Sequence, residues 1–426
     1  MISHRLAAAF HRRDWHYGWV VIAATFFAML VSAGSMGSLG VMIRPLEQEF
    51  GWQTSEISTA LAIRIALYGL MGPFAAALMN RFGVRSVTLT ALLLIVLGLM
   101  GSLAMTRVWQ LVLLWGVVIG FSTGLTAIVL GATVATRWFT KRRGLAVGML
   151  TASSATGQLI FLPAIAAVTE HYGWRLALCL VSAMLALAAL VVALLMRNRP
   201  HDLGLLPFGE VGIAGAAPVA APALASPFAA LREASGNRTF WILFGTFFIC
   251  GVSTTGLIQT HFISMCGDYG LAAVSAASVL AMMGAFDFVG TIGSGWLSDR
   301  LDNRYLLFWY YGLRGLSLLY LPFTTFTIYG LSLFAMFYGL DWIATVPPTV
   351  KLTSQQFGRE KTNIVFGWIF AGHQLGGAAA AFGAGLSRTV FASYLPAFFI
   401  AGALCLVAAF AALTIGRRRT LLQPAE

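Results

Sequence analysis

Residues 295–304 read GWLSDRLDNR, and an earlier stretch, 77–85, reads ALMNRFGVR. The arginines of the two stretches align, Arg81 with Arg300 and Arg85 with Arg304, because 300 − 81 and 304 − 85 both give 219. The same offset relates Arg142 to Lys361 and Gly148 to Gly367. One pattern is therefore written twice, in parallel, along the chain.

What lies between these short polar loops is apolar. The 426 residues are 59% hydrophobic and only 10% charged, with a mean hydropathy of +0.82, whereas a soluble chain carries roughly 25% charged residues. A helix crossing a hydrocarbon layer needs ~20 apolar residues. Runs of that length predict spans at 18–42, 54–78, 84–105, 109–134, 144–168, 174–196, 239–263, 273–296, 304–326, 328–350, 362–386 and 393–416. The expected fold class is all-α and membrane-embedded, with twelve transmembrane helices in two pseudo-symmetric bundles of six.

The formal net charge of +12 would suggest nucleic acid in a soluble protein, but its distribution removes that reading. Twenty-one Lys and Arg fall in alternate loops and at the termini, against four (Arg44, Arg107, Arg175 and Arg388) in the remaining loops. This positive-inside bias predicts cytoplasmic termini in a multi-pass protein of the cell (inner) membrane. The polar start runs into an apolar stretch too long for a signal-peptide core, so the first span is the expected targeting signal. Residues 197–238, rich in Ala, Pro and Gly, read as a flexible cytoplasmic linker. The expected units are 1–196, the linker 197–238, and 239–426. Cys179, Cys250, Cys266 and Cys405 lack metal-type spacing and sit in or beside apolar runs, so they read as small buried hydrophobes with no disulfide.

GWLSDRLDNR resembles the G-x-L-x-D-R-x-x-x-R loop of the major facilitator superfamily. In that family Asp299, Arg300 and Arg304 would form a charge cluster that latches one side of the membrane, with Arg81 and Arg85 as first-half counterparts and Asn80 in the place of the acid. DWHYGW (14–19) is similar to the acidic-x-x-aromatic-Gly-Trp opening of the monocarboxylate porter family, with Trp15 and His16 where small residues are usual. WFTKRRGLAVG (138–148) looks like that family's approach to its fifth span. The resemblance implies two six-helix halves around a midplane cavity, lined by the first, second, fourth and fifth spans and their counterparts. Asp287 fits the acid of the porters' Asp-x-x-x-Arg pair, but the Arg position falls on Thr291, and the Lys late in the first span falls on Gly37.

Charges deep in a membrane cost from ~3 to more than 10 kcal/mol each, so each demands a partner or a purpose. Four qualify: Arg64, Asp287, Arg314 and Asp341. Arg314 is expected to be structural, fixed by Asp341 or Asp287. Arg64 has no acid at comparable depth in its half, and its planar fork suits a carboxylate, so it is the expected anion site. His373 and Gln374 (AGHQLGG), His261 and Gln259, and Ser154 with Gln158 one turn apart are the further candidates for contact with substrate. Asp287 and His373 are the candidates for proton coupling, and Pro347-Pro348 is the expected hinge.

No HExxH or GxxxxGK[ST] motif is present, which argues against an intramembrane metalloenzyme or an ATP-driven pump and leaves no expected metal or cofactor. The predicted function is secondary active transport of a small organic anion, a monocarboxylate or related carboxylate, with protons as coupling ion and lipid as surroundings. The alternatives are an exporter of amphipathic or drug-like compounds and an anion exchanger.

Overall fold

Inside lipid no water is present to satisfy a free N–H or C=O, so apolar runs of this length must close their hydrogen bonds locally as helices. A computed structural model, which describes residues 15–37, 39–210, 227–298, 300–358 and 362–416, has this architecture. The first half comprises α1 (Gly18–Gly37), α2 (Leu39–Phe50), α3 (Thr54–Phe82), α4 (Val84–Ser102), α5 (Val108–Leu111), a π-helix (Val112–Ile119), α6 (Gly120–Leu125), α7 (Ile128–Trp138), α8 (Arg143–Tyr172) and α9 (Trp174–Leu195). A short helix, α10 (Pro227–Ser235), precedes the second half. That half comprises α11 (Arg238–Gly251), a π-helix (Val252–Gln259), α12 (Thr260–Asp268), α13 (Ala273–Ser298), α14 (Asn303–Tyr320), α15 (Ile328–Asp341), α16 (Val346–Phe357), α17 (Thr362–Phe391) and α18 (Leu395–Leu413). Ten helical stretches among the described residues are long and apolar enough to cross a membrane. Gly83 and Gly173, both at φ +86°, each turn the chain between two helices in a single residue, a conformation open to glycine and strained for other residues.

The duplication extends to the backbone. α3 and α13, α4 and α14, and α8 and α17 each begin 219 residues apart. Even the helix crossings repeat: a Cβ on Gly120 would lie 2.7 Å from Arg64 Cα, and one on Gly339, 219 residues later, 2.9 Å from Met283 Cα. Lipid is as apolar as leucine, so close backbone approach through small residues, rather than escape from water, holds such helices together.

Interruptions recur at matching levels. α1 stops before α2, the Val252–Gln259 π-helix follows α11, a turn separates α6 from α7, and residues 342–345 separate α15 from α16. Pro347 and Pro348 lie in the first turn of α16, so the bend expected at the prolines falls just before them. There a missing N–H costs nothing to the helix that follows.

The first half has one apolar core, including Met42, Leu61, Trp115, Trp138 and Leu185. The second half has a core around Phe240, Tyr311 and Trp368 toward its link to the first half, and another around Phe262, Phe334 and Phe398 at the far end. The far-end core also takes in Val41, Leu162 and Ala166 of the first half. At mid-depth α3 lies along α17, where Ile65 packs with Ala378 and Ala381.

The stretch read as flexible from 197 to 238 is ordered at both ends. Phe208 N–H donates to Trp138 O (2.8 Å), and Phe208 O accepts from Lys141 N (2.9 Å). The Trp368 indole donates to Pro227 O (2.8 Å). Apolar side chains explain the difference: Phe208, Leu203 and Leu205 close the first-half core, a role that the composition of the stretch conceals. Residues 211–226 lie outside the described residues.

Candidate functional site

The two sequence stretches that carry the porter resemblance meet in space. Trp19 packs edge-on against Phe139 (4.8 Å between ring centroids), and His16 against Phe208 (5.5 Å). His16 Nε2 lies 2.9 Å from Leu206 O, and Tyr17 donates its hydroxyl proton to Leu195 O (2.8 Å). Burial holds the imidazole of His16 below its usual range, against the opposing effect of its bond to Leu206, so a neutral ring sits in this aromatic knot. The motifs thus close one end of the first half; Asp14 is outside the described residues.

Arg64 sits mid-way along α3 with 4% exposure. Its Nη1 donates to Met36 O (3.1 Å), a carbonyl stranded where α1 ends. Nε is buried and has no partner, and no described carboxylate forms an ion pair with this guanidinium. The neighbouring residue Ile65 and, a turn further on, Gly69 meet α17 across the contact between the halves. Gln374 packs on Gly69 so closely that a Cβ there would lie 2.3 Å from its own. Tyr68 and Phe370 place their rings 6.4 Å apart. Gln374 is buried, and its Oε1 has no partner.

His373 stacks parallel on Phe370 (5.8 Å, 8°) and lies 4.9 Å from the Phe247 ring. Its Nε2 is 3.4 Å from Thr254 Oγ1, while its Nδ1 is buried without a partner. Gln374 and His373 thus each keep a polar atom without a partner on α17, the helix that lies along α3, as Arg64 keeps its Nε on α3. Fully buried His261 is placed differently: its Nε2 lies 2.8 Å from Ala381 O and its ring 5.2 Å from that of Tyr394. It ties α12 to α17. Gln259 ends the second π-helix. Ser154 and Gln158 lie on α8, but their side chains are outside the described residues.

The second buried arginine is fully engaged. Arg314 donates from Nε to Asp341 Oδ2 (2.8 Å), from Nη1 to Cys250 Sγ (2.9 Å), and from Nη2 to the carbonyls of Asp341 and of Trp342 (3.1 Å for the latter). Asp287 forms no described ion pair. Its Oδ1 accepts from Ile343 N–H (2.8 Å) and Thr291 Oγ1 (2.9 Å). Thr291, at the position where the porter pattern has an arginine, is thus a hydrogen-bond donor to the acid.

Pro348 cannot donate to Ala344 O four residues back, and Ser294 Oγ does so instead. The backbone groups freed between α15 and α16 are therefore satisfied by side chains of α13 and α14. Sequence reading placed the three charges but missed that they serve one helix break.

The loop charges have the following described partners. Asp299 lies outside the described residues. Arg304 pairs with Asp302 (2.6 Å) and donates to Ile415 O (3.2 Å), while Arg300 lies over the Trp296 ring (4.0 Å). Asp302, two residues before Arg304, sits at the N-cap of α14. Arg85 donates to Ala193 O (2.6 Å), and Arg81 lies over Phe82 (5.2 Å).

At the far end sequence reading missed a bridge between the halves: Asp268 accepts from Arg44 Nη2 (2.7 Å) of the first half and Arg388 Nε (2.9 Å) of the second. Ser55 N–H also donates to Thr389 Oγ1 (3.2 Å) across the halves. Beside them Glu47 is held above the usual carboxylate range by burial, partly offset by its hydrogen bond to Thr54 and by Arg388 and Arg44.

A family model described as Major Facilitator Superfamily matches residues 25–381. Monocarboxylate transporter 13 of Bos taurus is 28% identical over 406 residues, covering 94% of this chain and 90% of its own length. The uncharacterized MFS-type transporter YcxA of Bacillus subtilis is 25% identical over 395 residues, covering 88% and 90%. Among solved structures, a mutant of the nucleoside transporter NupG superposes with a TM-score of 0.75 at 10% identity, covering 94% of this chain and all of that one. A bacterial homolog of the human lysosomal transporter Spinster, inward-facing and occupied, gives 0.72 at 16%, covering 94% and 97%. At those identities the structures speak to fold alone.

Proposed function

The chain belongs to the major facilitator superfamily, as a multi-pass membrane transporter rather than an enzyme, and from that membership we propose that it carries a small organic anion by alternating access. The anion is a monocarboxylate or related carboxylate, and protons are the coupling ion. Ten apolar helical stretches together with α8 and α14 make twelve spans, in halves 1–196 and 239–426, with the linker and termini on the cytoplasmic side of the cell (inner) membrane. The Asp268 bridge then closes the outer face.

Arg64 carries this reading. It is a buried cation with a free Nε and no described acid to balance it, and an anion arriving with its counter-charge removes the imbalance. Gln374 and His373 are the next residues to meet the substrate. Ser154 and Gln158 on α8, and His261 and Gln259 in the second half, are the further candidates for contact with substrate. Asp287 and His373 are the proton carriers of this reading. Asp299, Arg300, Arg304, Arg81 and Arg85 steady the cytoplasmic ends.

Counterflow of labelled acetate, pyruvate and lactate in liposomes tests it. Arg64→Ala should reduce exchange more than tenfold, and Arg64→Lys should recover part of it. A melting temperature near that of the wild type separates lost binding from lost fold. Counterflow that survives in a well-folded Arg64→Ala protein removes the anion site from Arg64 and favours an apolar cavity.

A further inference from the structure

Asp287 and Asp341 are 5% and 6% exposed, and Arg314 is 1% exposed. Two carboxylates therefore share one described ion-pairing cation in a low-dielectric interior, and one negative charge is left over. Arg314 has no hydrogen to spare for a second acid: Nε and Nη2 are spent on Asp341 and its neighbouring carbonyls, and Nη1 on Cys250 with Ser253 at 3.5 Å. Asp287 Oδ1 already holds two donors. Asp341 Oδ1, by contrast, is buried with no partner at all. A bare, buried carboxylate oxygen is among the most costly groups a protein interior can hold.

We propose that Asp287 and Asp341 form a single proton-binding site, one proton being held in common by the pair with Asp341 Oδ1 as the free acceptor. This rests on the reading that transport is proton-coupled, and it moves the coupling site from Asp287 and His373 to the pair of carboxylates. The two acids flank the bend that separates α15 from α16, one holding Ile343 N–H and the other lying next to Trp342, so their titrations are linked. With the proton bound the trio is neutral. Without it the excess charge lies against the backbone groups that hold the bend. Loading the proton and bending this helix thus draw on the same contacts.

The other titratable groups here are Cys250 from α11, Tyr310 and Tyr311 from α14, and Tyr338 from α15. Cys405 from α18 faces Arg314, and His373 from α17 reaches Cys250. His373 is the one further group of this set that could supply a cation.

Asp341→Asn, Asp287→Asn, the double variant and His373→Gln, reconstituted with a lumenal pH dye, test the proposal. Either single Asn variant removes the surplus charge and is expected to abolish substrate-linked acidification while counterflow persists. The double variant leaves Arg314 unbalanced and is expected to melt well below both singles. In detergent, wild-type thermal stability is expected to fall as pH rises, because the folded state holds a proton that the unfolded chain releases. Each single variant should give a flatter profile.

Acidification surviving in Asp341→Asn returns the proton to Asp287 or, if His373→Gln abolishes it, to His373; either overturns the shared site. Accumulation driven by a sodium gradient at constant pH overturns it as well. Failure of every carboxylate to exchange in the wild type would sink the anion reading, yet leave the pH-stability comparison to judge this one.

Discussion

Asp268→Asn probes the link between the halves at the far end. Asp268 accepts from Arg44 at 2.7 Å and from Arg388 at 2.9 Å, and only Arg44 belongs to the other half. The side chains are partly exposed, at 37% for Arg44, 33% for Arg388 and 25% for Asp268, so solvent screens the pair and its contribution is at most ~1 kcal/mol. Loss of the acid also leaves two guanidinium groups side by side, which acts in the same direction. A shift of ~1 kcal/mol changes the ratio of closed to open far ends about fivefold.

Ser55→Cys reports this ratio, because its backbone joins Thr389 across the halves. Modification by a membrane-impermeant thiol reagent should be several times faster with Asp268→Asn than without it, with the parent protein as the control for native thiols. Raising ionic strength from ~0.05 to ~0.5 M should speed the reaction in the parent and have little effect in the variant, since salt screens the same attraction. An unchanged or slower rate in Asp268→Asn would refute the view that this bridge holds the far end shut.

Two further predictions use stability. Gly290→Ala puts a Cβ 1.9 Å from Leu340 O, whereas Gly293→Ala meets nothing within 4 Å; the first should lose ~1–3 kcal/mol and the second little, as read from melting temperatures. Glu47, held above its usual range chiefly by burial, favours the folded state in its protonated form. Stability should therefore rise as pH falls through that raised value toward the ordinary carboxylate range and be lost as pH rises again. Glu47→Gln should flatten this part of the profile, and an unflattened profile would assign it to another group.

Helix positions were legible because lipid leaves the backbone one local way to satisfy itself: the span expected at 144–168 is the helix Arg143–Tyr172. The bends were not. Proline marks where a helix starts more reliably than where one breaks, and the π-helices contain no residue that announces them. Depth of charge was legible too, since apolar flanks make Arg64 and Arg314 conspicuous, but their partners were not. Met36 offers a backbone carbonyl, invisible in a list of side chains. Arg44 and Asp268 are 224 residues apart and look like ordinary loop charges until the halves are brought together. In the GWLSDRLDNR loop the motif drew attention to Asp299, while Arg304 pairs with Asp302, the acid that caps its own helix.

The distribution of the apolar cores bears on how the chain is made. The first-half core draws on residues no later than Phe208, so every side chain that completes it has been synthesised before α11 emerges. The far-end core of the second half is completed by Val41, Leu162 and Ala166, which are already in place. Biogenesis therefore has a direction: the leading half can settle in the bilayer on its own and serve as the template against which the trailing half packs, whereas a trailing half inserted alone would present an unfinished face to lipid.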